Sequence, residues 1–216
     1  MSSISALADP HIATAQPIQH HVNASLQELL MIEMTSLAHR LTERTVLARS
    51  QSKQIVSSSL DEDDLSEREL LESKLESIGY RVGHGLVERL SKDRPMLLDH
   101  LDIIKFVCKD LWTVLYHKQI DNLKTNHKGV YVLTDNQFRW FNKMSYHPIL
   151  KPSQEALNKG KGVAGVGREY SAYLWFPCGV VRGALANLGM DSVVIAECPS
   201  GPPGVTFQIK TIMKET

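Results

Sequence analysis

The hydrophobic period of this chain changes beyond about His117, and the change brings in a second kind of structure. Up to that point the apolar residues recur every three or four positions; over Val130–Thr134 and again over Val205–Ile209 they recur every two. The first spacing lines one face of a helix, the second one face of a strand. Both periods in that order predict an α+β fold, helices gathered against an antiparallel sheet.

In the helical part, Ser25 and Glu28 stand at capping-box spacing. A first helix is therefore expected from Ser25 to Ala48. Leu26, Leu29, Leu30, Met34, Leu37 and Leu41 line one face, with Glu33, His39, Arg40 and Arg44 on or beside the other. Ser66 and Glu69 repeat the box and open a second helix with a stripe of Leu70, Leu71, Leu75, Ile78, Val82, Leu86 and Leu90. Gly79 and Gly83 lie one turn apart on it, each costing about 1 kcal/mol against Ala. Their expected use is to admit another backbone. A third helix is expected from Leu97 to His117, opening after Pro95. The two early stripes exceed what a small sheet can cover, which calls for an obligate interface.

Val130, Val132 and Thr134 alternate with Tyr131 and Leu133, Asp135-Asn136 signals a turn, and Gln137 to Lys143 is expected to return as a strand. Tyr170 to Leu188 is the most apolar helix, broken or opened at Pro177 and closed by Gly189. Strands are expected at Asp191–Glu197 and Val205–Lys210. Residues 1–24 are expected to be a disordered tail. Residues 25–216 form a single domain with a linker at 50–64, carrying Asp61-Glu62-Asp63-Asp64, and a loop insertion at 147–168.

Composition removes several function classes. Lys plus Arg and Asp plus Glu are 24 each in 216 residues, which argues against a nucleic-acid binder and a polybasic lipid anchor. The run from Tyr170 to Val181 is too short to cross a bilayer, and MSSISALADPH lacks the pattern of a signal peptide. Cys108, Cys178 and Cys198 are odd in number and far apart, which fits reduced cytosolic thiols and no zinc framework.

Motifs of chemistry are thin. Gly160-Lys161-Gly162-Val163-Ala164-Gly165 is a literal G-x-G-x-x-G, but no strand precedes it and no βαβ unit surrounds it, so it reads as a loop. His20-His21 has no third ligand spaced to help it. Cys178 and Cys108 read as inert buried thiols, and no nucleophile elbow is present. No catalytic residue, metal site or cofactor is expected, and the chain is read as not an enzyme.

Two stretches, ESIGYRVGHGL at 76–86 and LDIIKFVCKDLW at 101–112, resemble the small subunits of the TRAPP (transport protein particle) complex. QIDNLKTNHKGVYVL at 119–133 and FPCGVVRGAL at 176–185, with Leu188-Gly189, resemble the subunit-six type, the fungal thirty-three-kilodalton subunit. The resemblance covers about residues 25–48 and 68–216, leaving out the tail, the linker and the 147–168 loop.

It implies an α/β-plait, with helices packed on one face of a twisted antiparallel sheet. It implies a non-catalytic scaffold subunit of a vesicle-tethering complex acting in ER-to-Golgi and Golgi transport. That assembly promotes guanine-nucleotide exchange on a Rab-family GTPase. The implied partners are a paralogous small subunit, joined as a heterodimer through the first two helices, other TRAPP subunits, and the GTPase via the assembled complex. The implied location is cytoplasmic and peripheral at cis-Golgi and ER-Golgi membranes, with membrane association only through the complex. The interface residues expected on this basis are Leu26, Leu29, Leu30, Met34, Leu37 and Leu41, with Leu71, Leu75, Ile78 and Val82. Some paralogues carry an acylated Cys just before the third helix. Here that place reads Ser91-Lys92-Asp93-Arg94-Pro95-Met96, and no acylation is expected. The alternative is a small-molecule or lipid-binding sensor domain walled by the Tyr170–Leu188 helix and the sheet.

Overall fold

The structure, a computed structural model, describes residues 22–55, 67–97, 99–144, 170–199 and 201–212. The helical part holds α1 (Ala24–Ile55), α2 (Glu67–Ser91), α3 (His100–Phe106), a π-helical turn (Val107–Leu111) and α4 (Trp112–Tyr116). Then come β1 (Asn122–Thr125), β2 (Val130–Asp135), a 3₁₀ turn (Arg139–Lys143), α5 (Ser171–Asn187), β3 (Ser192–Glu197) and β4 (Val205–Thr211). The strands form one antiparallel sheet in the order β1-β2-β4-β3. The expected α+β fold is present.

The period-2 pattern sets the inner face of the sheet. Tyr131, Ile209 and Val194 stand in one cross-strand row, and Leu133, Phe207 and Ala196 in the next. Most of these are buried, while Val132, Gln208 and Ile195 share the opposite, more open face. The core between sheet and helices is aromatic. The Trp112 ring stands edge-on to Phe207 at 5.1 Å, and Tyr116 lies 4.8 Å from Phe138 between ring centroids. Trp112 Nε1 donates to Asp135 Oδ2 at 2.9 Å, and Lys118 Nζ reaches Asp135 Oδ1 at 2.6 Å, so this buried carboxylate is doubly satisfied.

The glycine expectation holds and extends to a second helix. A Cβ on Gly79 would fall on the Phe176 carbonyl oxygen, and one on Gly83 on that of Val180. The contact is reciprocal: Gly179 lies against the Glu76 carbonyl and Gly183 against that of Tyr80. Two pairs of glycines four residues apart thus bring the α2 and α5 backbones together, closer than any side chain allows.

Several local expectations are corrected. Gln137–Lys143 does not return as a strand. Phe138, Trp140 and Phe141 are all buried, which strand alternation cannot achieve for neighbours 140 and 141; a 3₁₀ turn stacks Phe138 and Phe141, three apart, at 5.3 Å. The hairpin partner of β2 is β1, short and half polar, through a turn in which Asn126 Oδ1 accepts the Lys128 and Val130 N–H groups and His127 and Gly129 have positive φ. Asn23 rather than Ser25 caps α1, its Oδ1 accepting the Ser25 N–H at 2.9 Å, and α1 runs on past Ala48 to Ile55. α3 begins at His100, not Leu97, because the Asp99 carbonyl takes the first N–H groups, of Asp102 and Ile103. α5 continues through Pro177 unbroken and ends before Gly189 at φ +83°. The π turn accompanies a carbonyl, that of Cys108, which accepts the Ile120 N–H at 3.0 Å and ties the return of the chain to the helix. The linker expected at 50–64 is helical as far as Ile55, the end of α1; its remainder with the acidic run, the expected tail up to residue 21, and the 147–168 loop with its G-x-G-x-x-G lie outside the described residues.

Candidate subunit interface

α1 buries the wrong residues for a helix that serves only its own chain. Leu26, Leu29, Leu30, Leu37 and Leu41 are between 46% and 59% exposed, whereas Glu28, Thr35 and Thr42 are at most 4% exposed. At about 100° per residue the leucines and the threonines fall on roughly opposite sides of the helix. The inward face is made tolerable by local bonding. Thr35 Oγ1 donates to the Met31 carbonyl at 3.0 Å and Thr42 Oγ1 to that of Ala38 at 2.9 Å. Glu28 Oε1 meets Arg139 Nε at 2.7 Å, and Gln27 Nε2 donates to the Leu115 carbonyl at 3.3 Å. With Met31, Met34 and Ala38 these contacts hold α1 to the body of the molecule, and its leucines are left to water.

The ten residues expected at an interface therefore separate. Leu26, Leu29, Leu30, Leu37 and Leu41 are exposed, and so are Ile78 and Val82 at 39% and 38%. Met34 is half-buried against the core. Leu71 and Leu75 are fully buried, and their place on an outer surface is corrected. The row Leu71, Leu75, Gly79, Gly83, Val87 advances by four residues and is the buried side of α2, the side that carries the glycine contacts with α5. Ile78 and Val82 lie outside that row. Leu47, 62% exposed, was not anticipated; it stands five whole turns beyond Leu29 and extends the apolar face.

Other chemistry is sparse among the described residues. The Cys108 thiol is pushed up by burial to about 12 and that of Cys198 to about 11, and burial raises Cys178 as well. All three are buried. His39, Glu43 and Glu67 could each offer one ligand atom to a cation, all within 4.8 Å. His39 Nδ1 lies 3.8 Å from Glu43 and Nε2 3.7 Å from Glu67, so the ring stands between a carboxylate of α1 and one of α2. No described helix is long and apolar enough to cross a membrane.

Comparison with known proteins gives a consistent answer. The model of a family described as transport protein particle (TRAPP) component matches residues 27–212. Human and bovine trafficking protein particle complex subunit 6B are each 46% identical over 141 residues, 63% of this chain and 76% of theirs. An uncharacterized protein of Schizosaccharomyces pombe is 33% identical over 195 residues, covering 90% of this chain and 66% of that protein. Among solved structures, a trafficking protein particle complex subunit 3 from Naegleria fowleri, covalently bound to palmitic acid, superposes with a TM-score of 0.51. It shares 14% identity, over 82% of this chain and 95% of that one, a likeness of fold.

Proposed function

Because the chain belongs to the transport protein particle (TRAPP) component family, we propose that it is a non-catalytic linking subunit of a vesicle-trafficking particle that pairs with a paralogous small subunit through the leucine face of α1. The observation that carries this reading is the inverted burial of α1. Five leucines stand about half exposed while a glutamate and two threonines are buried beneath them. Exposed apolar faces of this length mark protein contacts, and covering them recovers about 25 cal/mol per Å². Ile78 and Val82 are two further exposed apolar residues, on α2.

The relatives named as subunits 6A and 6B of a trafficking protein particle support membership of a multisubunit assembly. In this reading the assembly works at ER-Golgi and cis-Golgi membranes, reached from the cytoplasm. It promotes nucleotide exchange on a Rab-family GTPase, and this chain shapes it without catalysing a step. No acyl group is needed, since the three thiols are buried and the Ser91–Met96 stretch holds none. The test is co-purification with paralogous small subunits. Leu30→Asp is expected to abolish pairing while the chain keeps its own fold, because Leu30 is 59% exposed. Undiminished pairing of the variant would sink this placement.

A further inference from the structure

Beyond Leu37 the exposed face of α1 opens into a groove of about 650 Å³, lined by Leu41, Arg44, Thr45, Ala48, Arg49 and Lys74. The whole chain is balanced, 24 basic residues against 24 acidic, yet this lining has three cations and no carboxylate. Arg44 is exposed and meets no carboxylate among the described residues. Lys74 Nζ donates to the Thr42 hydroxyl at 3.3 Å and likewise meets no carboxylate among them. Arg44 and Lys74, which meet no carboxylate among the described residues and stand beside the apolar Leu41 and Ala48, favour an occupant that brings carboxylates on apolar stems. Leu41 belongs both to the groove and to the leucine face, so a protein that covers the face also reaches the groove.

We propose that this groove receives an acidic stretch of the same protein partner that covers the leucine face, with Arg44 and Lys74 pairing to its carboxylates. The inference rests on the pairing reading above and adds the partner's chemistry to it. The leucines supply adhesion. The basic end sets register, speeds encounter and disfavours a partner that is basic there.

The test uses the full chain and the small subunit that co-purifies with it, with Kd measured at about 50 and 300 mM salt. Raising salt over that range shortens the screening length about 2.4-fold, so wild-type binding is expected to weaken. Arg44→Gln/Lys74→Gln is expected to weaken binding about tenfold at low salt and to flatten the salt dependence. Arg44→Lys/Lys74→Arg, which keeps both charges, is expected to bind within about twofold of wild type. An unchanged Kd and salt slope in Arg44→Gln/Lys74→Gln, with pairing still abolished by Leu30→Asp, overturns the groove proposal and leaves the pairing reading standing. If Leu30→Asp also pairs normally, both fall. Tighter pairing on neutralising Asp61, Glu62, Asp63 and Asp64 overturns the proposal by assigning the groove to the chain's own acidic run. Vesicle binding to phosphatidylserine that is lost in Arg44→Gln/Lys74→Gln without change in Kd for the subunit overturns it in favour of lipid.

Discussion

Gly83 and Gly85 sit two residues apart on one helix and have opposite meanings. A Cβ on Gly83 would meet the backbone of Val180, which has no rotamer to yield, so α2 and α5 must separate to admit it. A Cβ on Gly85 meets nothing within 4 Å. Gly83→Ala is therefore expected to cost about 2 kcal/mol or more by overpacking. Gly85→Ala is expected to stabilise by up to about 1 kcal/mol, the ordinary gain of Ala in a helix interior. Urea unfolding of the two variants side by side checks the sign, and two equal losses would contradict the backbone contact. The cysteines give a second prediction at this scale. Their folded pKa values lie above the ordinary value of 9.0, so in alkali the native thiols stay protonated while those of the unfolded chain ionise. The native state then binds more protons, and stability falls as pH rises. Their contribution is whole below about pH 9 and is lost progressively toward the folded values of about 11 and 12. Iodoacetamide at pH 8 is expected to spare all three thiols until denaturant is added.

At the scale of the element, α1 hangs on a few polar contacts, and the chief one is Glu28 with Arg139. Glu28 is 4% exposed, so Arg139→Ala strands a carboxylate in the interior. Breaking a fully buried pair costs several kcal/mol; with the arginine about one third exposed, about 2 kcal/mol is expected. Glu28→Met/Arg139→Met is expected to recover most of that loss. Hydrogen exchange should show the effect concentrated in α1 and the 3₁₀ turn, and an even loss across α5 would argue against it. The pairing of Glu28 with residue 139 is what the sequence hides, since capping-box spacing offers Glu28 a local use, whereas the true partner is 111 residues away. The same limit explains the 3₁₀ turn and β1. Period reading recovers elements whose burial is set by one face, such as β3 and β4; on α2 it mixes the buried Leu71 and Leu75 with the exposed Ile78 and Val82. It fails at Phe138-Arg139-Trp140-Phe141, where three aromatic rings enter the core around a tight turn, and at Asn122–Thr125, where four partly polar residues make a strand only because β2 offers them a ladder. On α1 the leucines were legible as a stripe. What the stripe alone cannot tell is which side of a helix its own domain uses, and here it is the side of Thr35 and Thr42.

For the whole molecule that inversion divides stability in two. The sheet, α5 and α2 share one aromatic and glycine-packed core, and their exchange should report global unfolding. α1 adds polar contacts and only the small apolar set Met31, Met34 and Ala38, so in the isolated chain its amides are expected to exchange well before those of α5. In the proposed pairing, a paralogous subunit covering the leucines would bind only the state in which α1 is docked, and its binding energy would become stability of that state. At free partner one hundredfold above Kd this is about 2.7 kcal/mol. Adding the subunit should therefore slow exchange in α1 by about a hundredfold while α5, already limited by its own core, changes less. The melting temperature should rise with partner concentration, and Leu30→Asp should erase both effects together. If α1 in the isolated chain were as protected as α5, its exposed leucines would need no partner to be stable, and the heterodimer would have to be sought on another face.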